Sequence, residues 1–431
     1  MNKKAVEWLY EQLPELVAKG IIPTASVDLI RNHYGSIDKK IGGRTMLTMF
    51  ALIGAMLVGL GVILILAHNW EQLGRMTRAL VTIGMLVTTQ ILVGFTICFK
   101  KDNMVWAEST STLLMLAIGA SIALIGQTYH IADDFSNFLL TWMLLSIPLI
   151  YLMDVTAPAI LYLAGVTIWI VSGDFDGLFK QLIWILLGIV GPYYYQLVKK
   201  DPYANPLVIF SWVFILCVYI SFGAAFSSHL EHLYMLIYAG IFASTYFIGI
   251  LWFDGPVKVW QNPYKVMGLA GCIGLSFLLT FKELWRSIGR EIYSVGSTEY
   301  LLAFLLLTAA AVLGMKARKG NAGKQLLFGS APLTAAIGFL LLFLDNSGIS
   351  STVLCNGYLL FLSIIIILKG IQEERLGVLN IGMIMVAVLI MMRFLDINFS
   401  FVARGVVFVV LGSCFLAANW MMVRRKKEVT K

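Results

Sequence analysis

Long apolar runs alternate with short polar segments along almost the whole chain. Each run approaches the roughly 20 residues that an α-helix needs to cross a bilayer, within a usual range of about 17–25. We count fourteen runs, at residues 46–67, 79–99, 110–128, 138–153, 155–171, 181–198, 206–226, 232–253, 265–281, 299–315, 325–344, 350–368, 376–395 and 401–423. The pattern predicts an all-α fold, a polytopic transmembrane helical bundle of about 14 spans. Only Asp154 separates 138–153 from 155–171, so these two runs fit either two short spans or one re-entrant pair.

The distribution of charge sets an orientation for these spans. Only 13% of residues are charged and 59% are hydrophobic, whereas a soluble protein carries about 25% charged residues, which excludes a soluble globular fold. The net charge is +8, but the basic residues lie in short loops and at 424–427, which argues against a nucleic-acid partner. With the N-terminus inside, 24 of the 32 Lys and Arg residues face the cytoplasm and 8 face outside. We therefore expect both termini inside. Merging 138–171 into one span would reverse every later loop, so we keep two.

The segment before the first span has the pattern of a soluble helical hairpin. Gly20 ends its first helix, Pro23 opens the second, and Gly35 stops it. We therefore divide the chain into a cytoplasmic helical hairpin and linker (1–44), a transmembrane helical domain (45–423) and a basic cytoplasmic tail (424–431). No cleavable leader pattern precedes 46–67, and we expect this span to act as an uncleaved signal anchor.

The run that ends near residue 130 carries the densest group of polar side chains at a span end. Its small residues Gly119 and Gly126 share one helical face, and Gly54 and Gly61 form a similar stripe in the first run. Small residues allow close approach of helices in lipid, so we expect these two spans to pack together. Their outer ends would then form a substrate-binding group of His68, Asn69, Trp70, Gln127, Tyr129, His130, Asp133 and Asp134.

This mixture of donors, acceptors and an aromatic face suits a hydroxylated or headgroup-like ligand. The alternative is that the same side chains satisfy one another and pin two helix ends, or bridge headgroups and water as interfacial residues commonly do.

Polar side chains inside the runs offer a second set of candidates. A polar path through spans two and three would use Thr88, Thr89, Gln90, Ser121 and Gln127. These side chains suit helix-pairing hydrogen bonds equally well.

Metal, catalytic and redox signatures are weak. His229 and His232 stand three positions apart beside Glu231, which is a usable ligand spacing. We nevertheless predict no metal site, no cofactor and no catalytic residue. The five cysteines lie within apolar runs without a CxxC pair, which favours buried structural thiols.

Two segments, together with the N-terminal hairpin, carry a family resemblance. They are residues 67–73 (Ala-His-Asn-Trp-Glu-Gln-Leu) leading to Arg78, and residues 122–130 (Ile-Ala-Leu-Ile-Gly-Gln-Thr-Tyr-His) before Trp142. Over about residues 3–150 the chain resembles the bacterial family of predicted integral membrane proteins catalogued as domain of unknown function 2157. The resemblance implies a helical membrane fold and a multi-pass protein of the bacterial cytoplasmic membrane. It implies no activity.

Many spans with few catalytic signatures favour moving or holding a molecule over transforming one. We interpret the protein as a transporter or flippase-like protein for an envelope-related small molecule or lipid-linked precursor. The alternatives are a membrane enzyme acting at the outer face on a lipid-linked substrate and a non-transporting membrane scaffold or sensor. The expected partners are membrane lipids and a lipid or glycan substrate, without nucleic acid. The sequence leaves the oligomeric state open.

Overall fold

A computed structural model describes residues 3–23, 26–30, 73–100, 103–131, 134–175, 177–227, 232–255, 258–291, 296–319, 323–396 and parts of 402–420. Within these ranges the chain forms helices and no strand. The helices are α1 (Lys3–Ala18), α2 (Arg75–Phe99), α3 (Met104–Tyr129), α4 (Phe135–Met153), α5 (Thr156–Ser172), α6 (Leu182–Ile189), α7 (Gly191–Lys200), α8 (Asn205–Ala225), α9 (Tyr234–Trp252), α10 (Pro263–Leu278), α11 (Lys282–Glu291), α12 (Ser297–Lys319), α13 (Ala331–Leu342), α14 (Ile349–Gln372) and α15 (Leu376–Asp396). Short 3-10 segments occupy Gly177–Gln181, Val259–Gln261 and Gly323–Gly329.

The described helices confirm the predicted all-α, multi-pass membrane architecture. Nine of them, counting α6 and α7 together as one span, are long and apolar enough to cross a membrane, and the bent pair α10–α11 makes up to ten in the described ranges. Two more apolar runs form the shorter helices α5 and α13. The first predicted run, 46–67, lies outside the described residues, and the last, 401–423, is described only in part. The count of fourteen spans and their orientation stay predictions.

The ambiguous stretch 138–171 forms two separate helices that pack on each other. Asp154 takes the left-handed conformation at φ 53°, which ends α4, and α5 begins at Thr156. The Asp154 carboxylate pairs with Lys200. At about 1.5 Å per residue, the 17 residues of α5 are about 25 Å long, slightly less than the roughly 30 Å hydrocarbon core.

The chain separates into two compact units, Met1–Val81 and Thr82–Lys431. In the first, Gly20 has φ +68° just after α1, and the N–H of Ile21 donates to the carbonyl of Leu16, as in a glycine-terminated helix. This confirms Gly20 as the stop of the first hairpin helix. Only residues 26–30 of the second hairpin helix are described, and they are helical. The predicted boundary at residue 44 lies outside the described residues.

The second unit contains two large apolar cores. The first is built around the buried Tyr162 and Trp169 of α5, which α3, α4 and α6–α8 surround. The second is built around Trp285 of α11, packed among α9, α10, α12, α13 and α14.

The helix is interrupted at two places in this unit, and side chains bond to the backbone groups left without helical partners. Val190 separates α6 from α7, and the Tyr162 hydroxyl donates to the nearby Leu186 carbonyl at 3.0 Å. α10 and α11 meet at 79°. At that bend, Trp285 Nε1 donates to the Leu279 carbonyl at 2.7 Å, and Asn356 Nδ2 donates to the Thr280 carbonyl at 3.1 Å. Because lipid offers no hydrogen bonds, such partners allow a helix to break inside an apolar bundle.

Candidate functional site

A groove of about 530 Å³ lies between α2, α3 and α4. Its lining is Leu86, Gln90, Ile118, Ser121, Ile122, Ile125, Gly126, Ile131 and Leu145. We call it the α2–α4 groove. Seven of these nine residues are apolar or glycine, and two carry polar side chains. Ligand sites have this general make-up: a mostly apolar concavity with a few polar groups that fix orientation.

A hydrogen bond between two threonine hydroxyl groups links α2 to α3. Thr82, Thr89, Val93 and Thr96 are the buried residues of α2, and they recur on one helical face. Thr110 of α3 donates through Oγ1 to Thr96 Oγ1 at 3.2 Å. Interhelical hydrogen bonds of this kind stabilise helix pairs in lipid. The remaining α2 surface, with Leu86 and Gln90, borders the groove.

A tryptophan fixes the contact between α3 and α4. Trp142 donates through Nε1 to the Met115 carbonyl at 2.7 Å. Its ring lies against Gly119, where an added Cβ atom would clash with Trp142 Cε2. The small-residue stripe of α3 therefore receives the indole of the next helix at Gly119. The expected packing of the first span on α3 stays a prediction, because that span lies outside the described residues.

The two polar groups of the groove come from different helices. Ser121 is 5% exposed, and its Oγ has no hydrogen-bond partner among the described residues. Gln90 is exposed. Leaving a buried hydroxyl unsatisfied costs free energy, commonly about 1–3 kcal/mol, so a ligand that bonds Ser121 would recover that cost. Both residues belong to the polar path predicted from the sequence, and the structure brings them to one groove.

The other members of the predicted path have local partners. Thr88 donates to the Gly84 carbonyl at 2.7 Å, and Thr89 donates to the carbonyl of Leu86 at 2.9 Å. Hydrogen bonds to a preceding turn of the same helix satisfy these hydroxyls, so the helix-pairing or structural interpretation applies to them. Gln127 is exposed and does not line the groove.

One end of the groove lies at the end of α3. His130 has φ 55° and caps the helix, with its backbone N–H donating to the carbonyl of Gly126. The N–H of Ile131 donates to the same carbonyl at 3.1 Å. Gly126 and Ile131 line the groove, whereas Tyr129 and His130 are exposed beside its end.

The predicted eight-residue group is described only in part. Asp134 accepts a hydrogen bond from the backbone N–H of Ser136 at 3.0 Å and so caps α4. His68, Asn69, Trp70 and Asp133 lie outside the described residues. Whether they join Gln127, Tyr129 and His130 stays a prediction.

Two carboxylates outside the set of candidates predicted from the sequence have defined structural partners. Glu108 of α3 accepts from the backbone N–H groups of Thr156 and Ala157, both at 2.8 Å. Glu299 of α12 is 4% exposed and accepts from the N–H of Leu233 at 2.7 Å and of His232 at 3.1 Å. Each carboxylate therefore caps the start of another helix. The only signal in the sequence was a lone acidic residue near the edge of an apolar run.

Histidines and cysteines show no metal-ligand grouping in the described part of the chain. His232 Nδ1 lies 3.3 Å from Glu299 Oε1, and His229 and Glu231 are outside the described residues. Cys217, Cys272 and Cys355 are buried and unpaired, as predicted for structural thiols. Cys98 is exposed, because it lies near the end of α2 on an outward face.

One family of known proteins resembles part of this chain. Residues 14–159 match the model of a family described as Predicted membrane protein (DUF2157). The match confirms the resemblance drawn from residues 67–73 and 122–130, and it extends slightly further along the chain. No curated protein and no solved structure matches the chain. The whole α2–α4 groove lies within the segment that matches the DUF2157 family.

Proposed function

We propose that this membrane protein binds a lipid or lipid-linked molecule in the α2–α4 groove and moves it across the bilayer, as a transporter or flippase-like protein of a bacterial cytoplasmic membrane. The observation that carries the proposal is the unsatisfied Ser121 hydroxyl in an otherwise apolar groove. The apolar lining suits hydrocarbon, and Ser121 and Gln90 suit the polar part of an amphipathic ligand.

The course of the groove supports movement as well as binding. Gln90 and Ser121 lie well inside α2 and α3, whereas Ile131 lies just beyond the end of α3. A ligand could therefore pass from the end of the helices to a deeper level while it stays in contact with one continuous surface. A polar group inside hydrocarbon costs several kcal/mol unless it is hydrogen-bonded, and deep polar side chains lower that cost.

Photocrosslinking tests whether the groove holds lipid. A benzoylphenylalanine at Ile122, which lines the groove, should capture lipid in a defined adduct when the protein is in phospholipid vesicles. The matched control is Leu116 on the same helix, an exposed residue that does not line the groove. Specific occupancy predicts that excess unlabelled lipid-linked precursor suppresses the Ile122 adduct and leaves the Leu116 adduct unchanged. Equal yields and equal competition at both positions would show that Ile122 samples bulk lipid only.

A flipping assay tests the activity itself. In proteoliposomes with fluorescent phospholipid, dithionite quenches the outer leaflet, and the protein should raise the fraction that becomes accessible with time. Ser121→Leu fills the groove and should abolish the effect. Ser121→Ala keeps the room but removes the hydroxyl, and a lost hydrogen bond of about 1 kcal/mol predicts a roughly fivefold slower rate. Thermal unfolding checks that each variant is folded. A wild-type rate equal to that of empty liposomes, or an unchanged rate in folded Ser121→Leu, would refute the proposal.

A further inference from the structure

α11 is a short helix whose two sides differ sharply in character. Trp285 and Ile288 are buried in the second core. On the opposite side, Lys282, Arg286 and Arg290 recur every four residues, so they share one face of the helix. Arg286 and Arg290 are exposed and Lys282 is half-buried. We call these three side chains the basic face.

The packing of α11 holds the basic face in a fixed direction. Trp285 lies against Gly338 and Gly348, and a Cβ at either glycine would stand 2.7 Å from a Trp285 atom. A Cβ at Gly289 would stand 2.8 Å from the Asn346 carbonyl oxygen. These close approaches leave α11 no room to rotate about its axis. The basic face therefore lies on a tightly packed helix, and its orientation is fixed.

The 79° bend places α11 in the orientation of an interfacial helix. If α10 crosses the bilayer, α11 runs close to parallel with its surface. Residues exposed beside it are strongly apolar: Leu278 at the end of α10 is 48% exposed, and Phe343 and Leu344 in the adjoining loop are 52% and 86% exposed. A basic face next to exposed apolar side chains is the arrangement of a helix at the headgroup boundary.

A fourth cation stands at the bend. Arg393 donates through Nη2 to Thr280 Oγ1 at 3.1 Å, and its Cζ lies 5.3 Å from the centre of the Phe281 ring. Two carboxylates, Glu283 and Asp345, also lie near α11. Glu283 forms an exposed 3.4 Å pair with Arg286, and exposed pairs are weak. Asp345 accepts hydrogen bonds from Ser347 and Ser350, and these bonds hold the pKa of its carboxyl well below its usual range. It is therefore ionised, but both of its oxygens are bonded within its own loop, and Lys282, Arg286 and Arg290 outnumber the two carboxylates.

The four cations also run against the charge bias of the chain. In the predicted topology only 8 of the 32 Lys and Arg residues face outside, and these four make up half of them. A bias that otherwise removes basic residues from this side indicates that those retained here serve a local purpose.

We infer that the basic face of α11 binds the anionic headgroups of phospholipids in the leaflet at this end of the bundle. The headgroup phosphate contacts the basic side chains, and the acyl chains lie along Leu278, Phe343 and Leu344. The adjoining apolar surface favours a whole lipid over a free phosphate ion. Each basic residue near a charged membrane surface contributes about fivefold in binding.

Crosslinking from α11 tests the inference locally. Ser287 is exposed on the polar side of α11, and a benzoylphenylalanine there should capture phosphatidylglycerol from mixed phosphatidylglycerol–phosphatidylcholine vesicles in preference to phosphatidylcholine. The triple variant K282Q/R286Q/R290Q should lower phosphatidylglycerol capture at least tenfold, whereas R286K/R290K should retain it. The matched control K316Q/R318Q neutralises exposed cations at the end of α12 and should leave capture at Ser287 unchanged.

Four outcomes would overturn the inference. They are equal capture of both lipids, unchanged capture in the triple glutamine variant, an equal loss in K316Q/R318Q, and displacement of phosphatidylglycerol by inorganic phosphate. The last would identify a phosphate-ion site without lipid recognition. Since the lysine variant keeps every charge, its retained capture also separates loss of charge from failure to fold.

Discussion

In this protein, two glutamate side chains each stabilise the start of a helix that is distant in the sequence. A helix leaves its first N–H groups without intrahelical partners, and within an apolar bundle water does not supply them. Glu108 binds two such groups at the start of α5, and Glu299 binds two just before α9. The negative charge also interacts favourably with the positive end of the helix dipole. Each glutamate therefore ties its own helix to a helix far away in the sequence.

We expect Glu299→Gln and Glu108→Gln each to lower the free energy of unfolding by about 1–3 kcal/mol, because a charged acceptor becomes neutral and an amide NH2 is placed against N–H donors. The apparent Tm of the purified protein, measured in one detergent, checks this. Glu283→Gln is the matched control, since that side chain is 72% exposed and should change stability by less than about 0.5 kcal/mol. An unchanged Tm in both the Glu299 and the Glu108 variant would show that the carboxylates are not needed as caps.

The α3–α4 pair shows how a glycine sets the distance between two helices. Gly119 has no side chain where the Trp142 indole lies, and the indole in turn donates to the Met115 carbonyl. A methyl group at Gly119 would push the ring away and break that hydrogen bond.

We predict that Gly119→Ala lowers stability by about 1–3 kcal/mol through overpacking. Gly84→Ala and Gly94→Ala in α2 are matched controls, since nothing lies within 4 Å of a Cβ at either position. They should leave the apparent Tm unchanged or slightly raised. The double variant Gly119→Ala/Trp142→Leu should cost less than the sum of its single changes, because the clash is gone. Strict additivity would contradict the packing contact.

The sequence predicted these elements well because hydropathy and turn residues act locally. Runs such as 79–99 and 350–368 reappear as α2 and α14, and Gly20 ends α1 as expected. The sequence also indicated that a small residue is needed at Gly119. It did not indicate that Trp142 packs there, because a small residue does not specify its neighbour. Glu108 and Glu299 were missed for a related reason, since their partners are backbone groups brought near only by tertiary packing.

For the candidate site, the sequence suggested polar side chains without arranging them. Gln90 and Ser121 were named as parts of one path, and the fold places them in one groove. Thr88 and Thr89 have the same polarity, yet their hydroxyls bond to their own helix. Whether a polar side chain of α2 lines the groove depends on which side of the helix it occupies relative to α3. Hydropathy alone does not determine how α2 is rotated about its axis.

At the scale of the whole molecule, the arrangement of spans decides which end of every helix faces outside. α4 and α5 are separate helices that meet at Asp154, and the orientation of all later segments depends on whether the two together make two crossings of the bilayer or one. If both cross, most basic residues lie inside, as charge bias favours. If the two together make a single crossing, the loop between α14 and α15 and the basic tail move to the outside, whereas a re-entrant pair leaves every later loop on the same side.

Cysteine labelling distinguishes these arrangements. In a background without the five native cysteines, single cysteines at Ser36, Glu374 and Lys427 should react with a membrane-impermeant maleimide only after the membrane is opened, and one at Asp174 should react in intact cells. Asp174 and Glu374 are exposed loop residues, so poor reaction there reports sidedness and not burial. Labelling of both Glu374 and Lys427 from outside, with Ser36 protected, would show that α4 and α5 together make one crossing and not two. Labelling of Lys427 alone from outside would place the error after α14, in α15 or in the last predicted span.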